Sequence, residues 1–177
     1  MLELIISRQS DRSYSDKLIE NEKIERIVEA GRMAPSACNA QPWKFIVVTD
    51  PELRAKISEA ASAKLLGMNS FVNQAPLLLI VVREKANMSS KIGSTVKNKD
   101  YSLIDIGIAS ENICMQARAE GIGSCMIGWF DEKQVKKILG IPSPKRVELI
   151  ITLGYPAKEH RVKKRKSLSE TVSYNKY

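Results

Sequence analysis

The stretch at 77–82, Leu-Leu-Leu-Ile-Val-Val, constrains the fold more than any other feature of the chain. Successive side chains of a strand point to opposite faces, so an unbroken apolar run makes sense only where both faces are covered. Pro76 and Arg83 bound the run. It is far shorter than the ~20 residues needed to span a bilayer. The reading is a central strand with packed layers on either side.

The rest of the pattern supplies those layers. Residues 2–8 read as a short amphipathic turn. Asn21 is a candidate cap for a helix in which Ile24, Ile27, Val28 and Gly31 follow i, i+3, i+4, i+7 spacing until Pro35 stops it. Residues 35–42 must then be a loop, and 44–49 a strand. Asp50 followed by Pro51 predicts a helix opening there and running through about residue 66. Residues 84–99 are polar without a clear period, which suits a mobile insertion over a site or an ordinary surface loop.

Residues 100–120 are apolar around most of a helical circumference, with Leu103, Ile106, Ile113, Cys114 and Ala117, and end at Gly121. A strand at 124–127, a helix capped by Asp131 and closed at Gly140, and a strand at 147–153 follow. The last 24 residues carry no core pattern. Leu168, Val172 and Tyr174 are spaced for contact with another surface, such as a second subunit.

Composition excludes several chemistries. At 177 residues the chain is expected to form one domain, 1–177, and its 44% apolar and 27% charged content is that of a globular protein. Cys38, Cys114 and Cys125 form no CxxC pair and His160 is the single histidine, so a disulfide framework, a zinc centre and a Ser/His/Asp triad are all disfavoured. No metal is expected, and catalysis would borrow a cofactor. No signal-peptide core or membrane span is legible, so a soluble, cytoplasmic protein is expected, with no membrane partner.

Four stretches could carry chemistry. Arg8-Gln9-Ser10-Asp11-Arg12 places two guanidiniums around a hydroxyl, suited to a phosphate or to carbonyl oxygens, although either arginine could equally serve a helix C-terminus. Ala34-Pro35-Ser36-Ala37-Cys38-Asn39-Ala40-Gln41-Pro42-Trp43 is a small-residue loop between prolines. There a planar ligand could approach the backbone and meet the amides of Asn39 and Gln41, or the loop could be a simple turn. Gly121-Ile122-Gly123-Ser124-Cys125-Met126-Ile127-Gly128 leads from helix to strand, the reverse of a dinucleotide fingerprint, which disfavours a Rossmann domain. His160-Arg161-Val162-Lys163-Lys164-Arg165-Lys166 holds much of the +8 net charge. Aromatic residues are only 6% and do not interleave with this run, so a nucleic-acid partner is not expected.

In order and spacing these stretches resemble the FMN-dependent nitroreductase family: Arg8-Gln9-Ser10-x-Arg12, Pro35-Ser36-x-x-Asn39-x-Gln41-Pro42-Trp43, Asp105-x-Gly107, Gly121-x-Gly123-Ser124-Cys125, Gly154-Tyr155 and Lys163-x-Arg165. The resemblance implies an α+β fold, a mixed but mainly antiparallel sheet between helical layers. It also implies a homodimer that exchanges C-terminal arms, here residues 157–177, and holds FMN at the interface.

By the same resemblance Arg8, Ser10, Arg12, Lys163 and Arg165 hold the phosphate and pyrimidine edge, with Gln9 nearby. Pro35, Ser36, Ala37, Cys38, Asn39 and Gln41 belong to a loop from the partner chain that covers the isoalloxazine. Backbone at Ile127 and Gly128 approaches its N5 side. No catalytic side chain is implied, since the chemistry lies at the flavin. Gln9 departs from the second basic residue or His the family often has there, and Cys38 is read as a small packing residue within the loop.

The implied activity is a ping-pong transfer of hydride from NADH or NADPH through flavin N5 to an electron-poor acceptor such as a nitroaromatic or quinone. A flavin-storing or flavin-sensing protein with little turnover is the alternative.

Overall fold

A computed structural model describes residues 1–62, 68–85 and 99–177. Its framework is a four-stranded sheet: β1 (Trp43–Val48), β2 (Leu77–Arg83), β3 (Gly123–Ile127) and β4 (Arg146–Gly154), in the order β1-β2-β4-β3 with every strand pair antiparallel. The apolar run lands on β2, between β1 and β4, as its two-sided pattern predicts. Leu78, Ile80 and Val82 enter one core, and Leu77, Leu79 and Val81 enter the other. An irregularity in the β2–β4 register falls between Val81 and Val82.

Two helical layers cover the sheet. On one face lie α3 (Pro51–Ala61) and α5 (Glu132–Leu139), contributing Ile57, Ala60, Ala61 and Val135. The opposite face carries α2 (Asn21–Arg32) and α4 (Tyr101–Ala119), through Ile27, Ile106, Ala109, Ile113 and Ala117. The helices α2 and α4 approach closely at Gly31, where a Cβ would lie 2.7 Å from Ile113. A side chain there would have to displace the buried Ile113 side chain. A short α1 (Leu2–Ser7) precedes this body, and α6 (Leu168–Thr171) lies in the tail.

The antiparallel-dominated sheet between helical layers is as expected. The parallel pairing among the described residues is a single bridge, Ser10 to Ser124, along the outer edge of β3. The Asp50 cap is present, its carboxylate accepting from Leu53 N at 2.8 Å, and Asp131 does the same for Gln134 N at 3.0 Å.

Two boundaries differ from the sequence reading. The cap of α2 is Glu20 rather than Asn21, because the Glu20 carbonyl already accepts from Lys23 and Ile24 N. The α3 helix ends at Ala61, and the continuation expected to 66 falls largely outside the described residues, as does most of the 84–99 insertion.

No described helix is long and apolar enough to cross a membrane. Among the described residues no cluster of His, Cys, Asp and Glu is arranged to hold a metal ion.

Candidate cofactor site

The site begins where the segment after α1 runs along the edge of β3. Asp11 N donates to Ser124 O at 2.9 Å, and Gly123 lies so near that an added Cβ would sit 2.7 Å from Asp11 Oδ2. Tyr14 locks the segment from behind. Its Oη donates to the Asp11 carbonyl at 2.7 Å and lies 2.6 Å from Thr152 Oγ1 on β4. Burial pushes this phenol far above its ordinary range, so it stays protonated. Gln9 is held at both ends: Nε2 donates to Asp11 Oδ1 at 2.7 Å, and Oε1 accepts from Arg161 N at 3.0 Å. Arg161 also donates from Nη2 to Ser10 O at 3.0 Å. The root of the C-terminal segment is thus tied to the Gln9 side chain and the Ser10 carbonyl.

That tie carries the basic run onto the end of α1. Lys163 Nζ donates to Ile5 O at 2.7 Å. Arg8 Nε is buried without a hydrogen-bond partner, although Glu111 Oε1 lies within ion-pair range at 3.3 Å. Arg118 Nε donates to Ser7 Oγ at 3.1 Å. Burial pushes the Lys163 ammonium below its ordinary range, and the charges of Arg8, Arg165 and Arg118 push it the same way against Glu111. Arg8 is thus brought to Lys163 and Arg165, from which it is far away in sequence. Arg12 is exposed, and its charge opposes the rise that burial imposes on the Cys125 thiol, as does hydrogen bonding from Ser10.

The proline-bracketed loop is a strained, internally tied turn. Cys38, Asn39 and Gln41 have φ of 52°, 51° and 46°, a region costly for residues with a Cβ. Gln41 N donates to Ser36 Oγ at 2.9 Å and Gln41 Nε2 to Asn39 Oδ1 at 3.1 Å. Asp105 of α4 fixes the near end, its Oδ1 accepting from Ala37 N at 3.1 Å while its Oδ2 is buried without a partner. Pro35, Cys38, Asn39 and Gln41 are exposed and Ser36 and Ala37 half-buried.

At the end of β3 Ile127 is buried, whereas Gly128 is exposed with nothing within 4 Å of where a Cβ would stand. The backbone there is open to a ligand. Cys114 and Cys125 are buried, and burial pushes the Cys114 thiol up to about 11, so neither offers a thiolate at neutral pH.

Sequence reasoning had no means to find Arg118 or Glu111 at this site, since neither stands in a recognisable spacing and each joins only through a contact more than 100 residues away. Arg161 was visible within the basic run, but its tie to Gln9 and Ser10 was not. Asp105 was visible within Asp105-x-Gly107, but its task of holding the loop was not.

The model of the nitroreductase family matches residues 5–67 and 63–155, and the chain belongs to that family. A protein of Archaeoglobus fulgidus, provisionally named an NADH dehydrogenase/NAD(P)H nitroreductase, is 38% identical over 89% of this chain and 86% of its own. The FMN-dependent nitroreductase of Clostridium difficile R20291 is 29% identical, with each chain covered fully and a TM-score of 0.82. The NADPH:FMN oxidoreductase of Vibrio harveyi, solved with NAD+, is 25% identical with a TM-score of 0.82, over 99% of this chain and 77% of that one.

Proposed function

We propose that this chain is an FMN-dependent oxidoreductase that works as a homodimer, taking reducing equivalents from NADH or NADPH and delivering them to an electron-poor acceptor such as a nitroaromatic or quinone. Its relatives carry nitroreductase and NADPH:FMN oxidoreductase names. The residues suit the cofactor. Arg8, Lys163 and Arg165 form a cationic cluster that Glu111 compensates only in part, and the buried Arg8 Nε lacks a hydrogen-bond acceptor. A phosphate monoester, with a charge of about −1.5 to −2 near neutral pH, supplies both the charge and the acceptor. When bound, FMN supplies reversible hydride chemistry that no side chain here can perform.

The observation that carries the dimer is the placement of the two halves of the site around α4. Asp105 anchors the loop, while Glu111 and Arg118 meet the cations. At about 100° per residue, Glu111 and Arg118 lie some 220–240° around the axis from Asp105. Loop and cations therefore stand on different sides of the helix, and a cofactor touching both would draw them from two chains.

Between the halves runs an exposed apolar stripe. Ile104 is 44% exposed and Ile108 38%, a turn apart, and on α1 Ile5 is 48% and Ile6 56% exposed. Exposed large apolar side chains gathered on α1 and α4 suit a protein interface. The tail fits the same picture, with Leu168 73% and Tyr174 82% exposed on this chain alone.

In the proposed mechanism the chain's residues bind and position. Arg8, Lys163 and Arg165 take the phosphate, with Ser10, Gln9 and Arg12 along the adjoining edge. The stiff turn of Pro35, Ser36, Ala37, Cys38, Asn39 and Gln41 from the partner covers the ring system. Open backbone at Ile127 and Gly128 leaves room beside the reactive face, where a planar acceptor can replace the spent nicotinamide. Initial rates with NADH and a benzoquinone varied together test the scheme. Parallel double-reciprocal lines support ping-pong exchange at one site, and intersecting lines contradict it. A flavin-loaded protein with no turnover on either nicotinamide would favour storage or sensing.

A further inference from the structure

We propose that Arg118 is a fourth cationic residue of the phosphate site, supplied by α4 and acting on the bound anion together with Arg8, Lys163 and Arg165. The proposal rests on the reading of the chain as an FMN protein. Three cations converge on one turn of backbone: Arg118 on Ser7 Oγ at 3.1 Å, Lys163 on Ile5 O at 2.7 Å, and Arg8 itself at the end of α1. Glu111 and Arg118 are seven residues apart on α4, two turns along the same face, so both look onto this turn.

The charges do not balance. Arg8, Arg118, Lys163 and Arg165 give four positive charges, and Glu111, the acidic side chain acting on Lys163 among them, gives one negative, leaving three positive. Like charges gathered at a half-buried position repel and are retained only if something neutralises them. Arg118 stands in the last turn of α4, where a cation favours the helix dipole in any case. That accounts for a solvated arginine. It does not account for one turned inward to Ser7, beside Arg8 and Lys163. Burial first, and then the charges of Arg8, Arg165 and Arg118, push the Lys163 ammonium below its ordinary range, and a dianion would relieve the repulsive part.

Affinities for FMN and for riboflavin, which lacks the phosphate, measured by fluorescence titration of the full-length chain, test the role. Arg118→Gln is expected to weaken FMN about tenfold to hundredfold, as for a lost charge-assisted hydrogen bond, and to leave riboflavin unchanged. Arg118→Lys should restore most of the loss, because the charge is kept. Unchanged FMN affinity in Arg118→Gln, or an equal loss for both flavins, would overturn the assignment, the second outcome showing a purely structural tie to Ser7. A wild-type chain that takes up neither flavin would defeat the proposed function itself. Inorganic phosphate then decides: a rise in melting temperature present in wild type and absent in Arg118→Gln upholds the anion site, and equal shifts reject it.

Discussion

Gly123 and Tyr14 show how single residues shape the candidate cofactor site. A side chain at Gly123 would drive into the Asp11 carboxylate, so Gly123→Ala is expected to cost about 1–3 kcal/mol, the usual range for overpacking, read as a lower denaturant midpoint. Tyr14→Phe removes a buried hydroxyl that serves both Asp11 O and Thr152. It should cost about 1–3 kcal/mol, the penalty of leaving buried polar groups unsatisfied, and loosen the segment bearing Arg8. At this scale the motif residues were legible because Arg8-Gln9-Ser10 and Lys163-x-Arg165 are short and chemically distinctive. Gly123 was legible as a glycine but not as the seat of Asp11, since that contact depends on how the chain returns along β3.

Among the elements, α4 does the most. Its buried Asp105 holds the proline-bracketed loop by a single hydrogen bond to Ala37 N. Asp105→Ala should free the turn from its strained conformation and weaken flavin binding, visible as a faster loss of flavin on dilution. The C-terminus of α4 is tied to α2 by Glu120, which accepts from Arg26 Nε at 2.7 Å and Nη2 at 2.9 Å.

That ion pair, chiefly the Arg26 hydrogen bond, holds the Glu120 carboxyl down to about 2. A folded-state pKa below the unfolded value of about 4.3 means that the stability it contributes is complete above that value and is lost as pH falls towards 2. Melting temperature should therefore decline as pH falls from about 4.5 to 2, and Glu120→Gln should flatten that decline. Helix and strand order could be read from periodicity and caps, because each is a local property of the chain. The α2 cap could not, because Glu20 serves through its backbone carbonyl, which any residue possesses.

For the whole molecule, the proposed function has one chain present half of each site. The loop and the cations lie on different sides of α4, an apolar stripe runs between them, and the tail leaves its side chains in solvent. The sequence reading points the same way, through a tail without a core pattern and a helix apolar around most of its circumference. What local pattern cannot convey is which surfaces meet, since that is set by tertiary placement. Deleting the residues after Ala157 removes Lys163 and Arg165 with the arm. It is expected to yield a monomer or an insoluble chain that retains little flavin, as sedimentation velocity and visible absorbance would show; an intact flavin-bearing dimer would mean that the arm is not exchanged. The most direct test of the function is the visible spectrum of the purified protein under anaerobic conditions, before and after NADH and then NADPH. A flavin spectrum that bleaches with a nicotinamide and recovers with a quinone is the expected result. A colourless protein that takes up no added FMN would contradict the assignment.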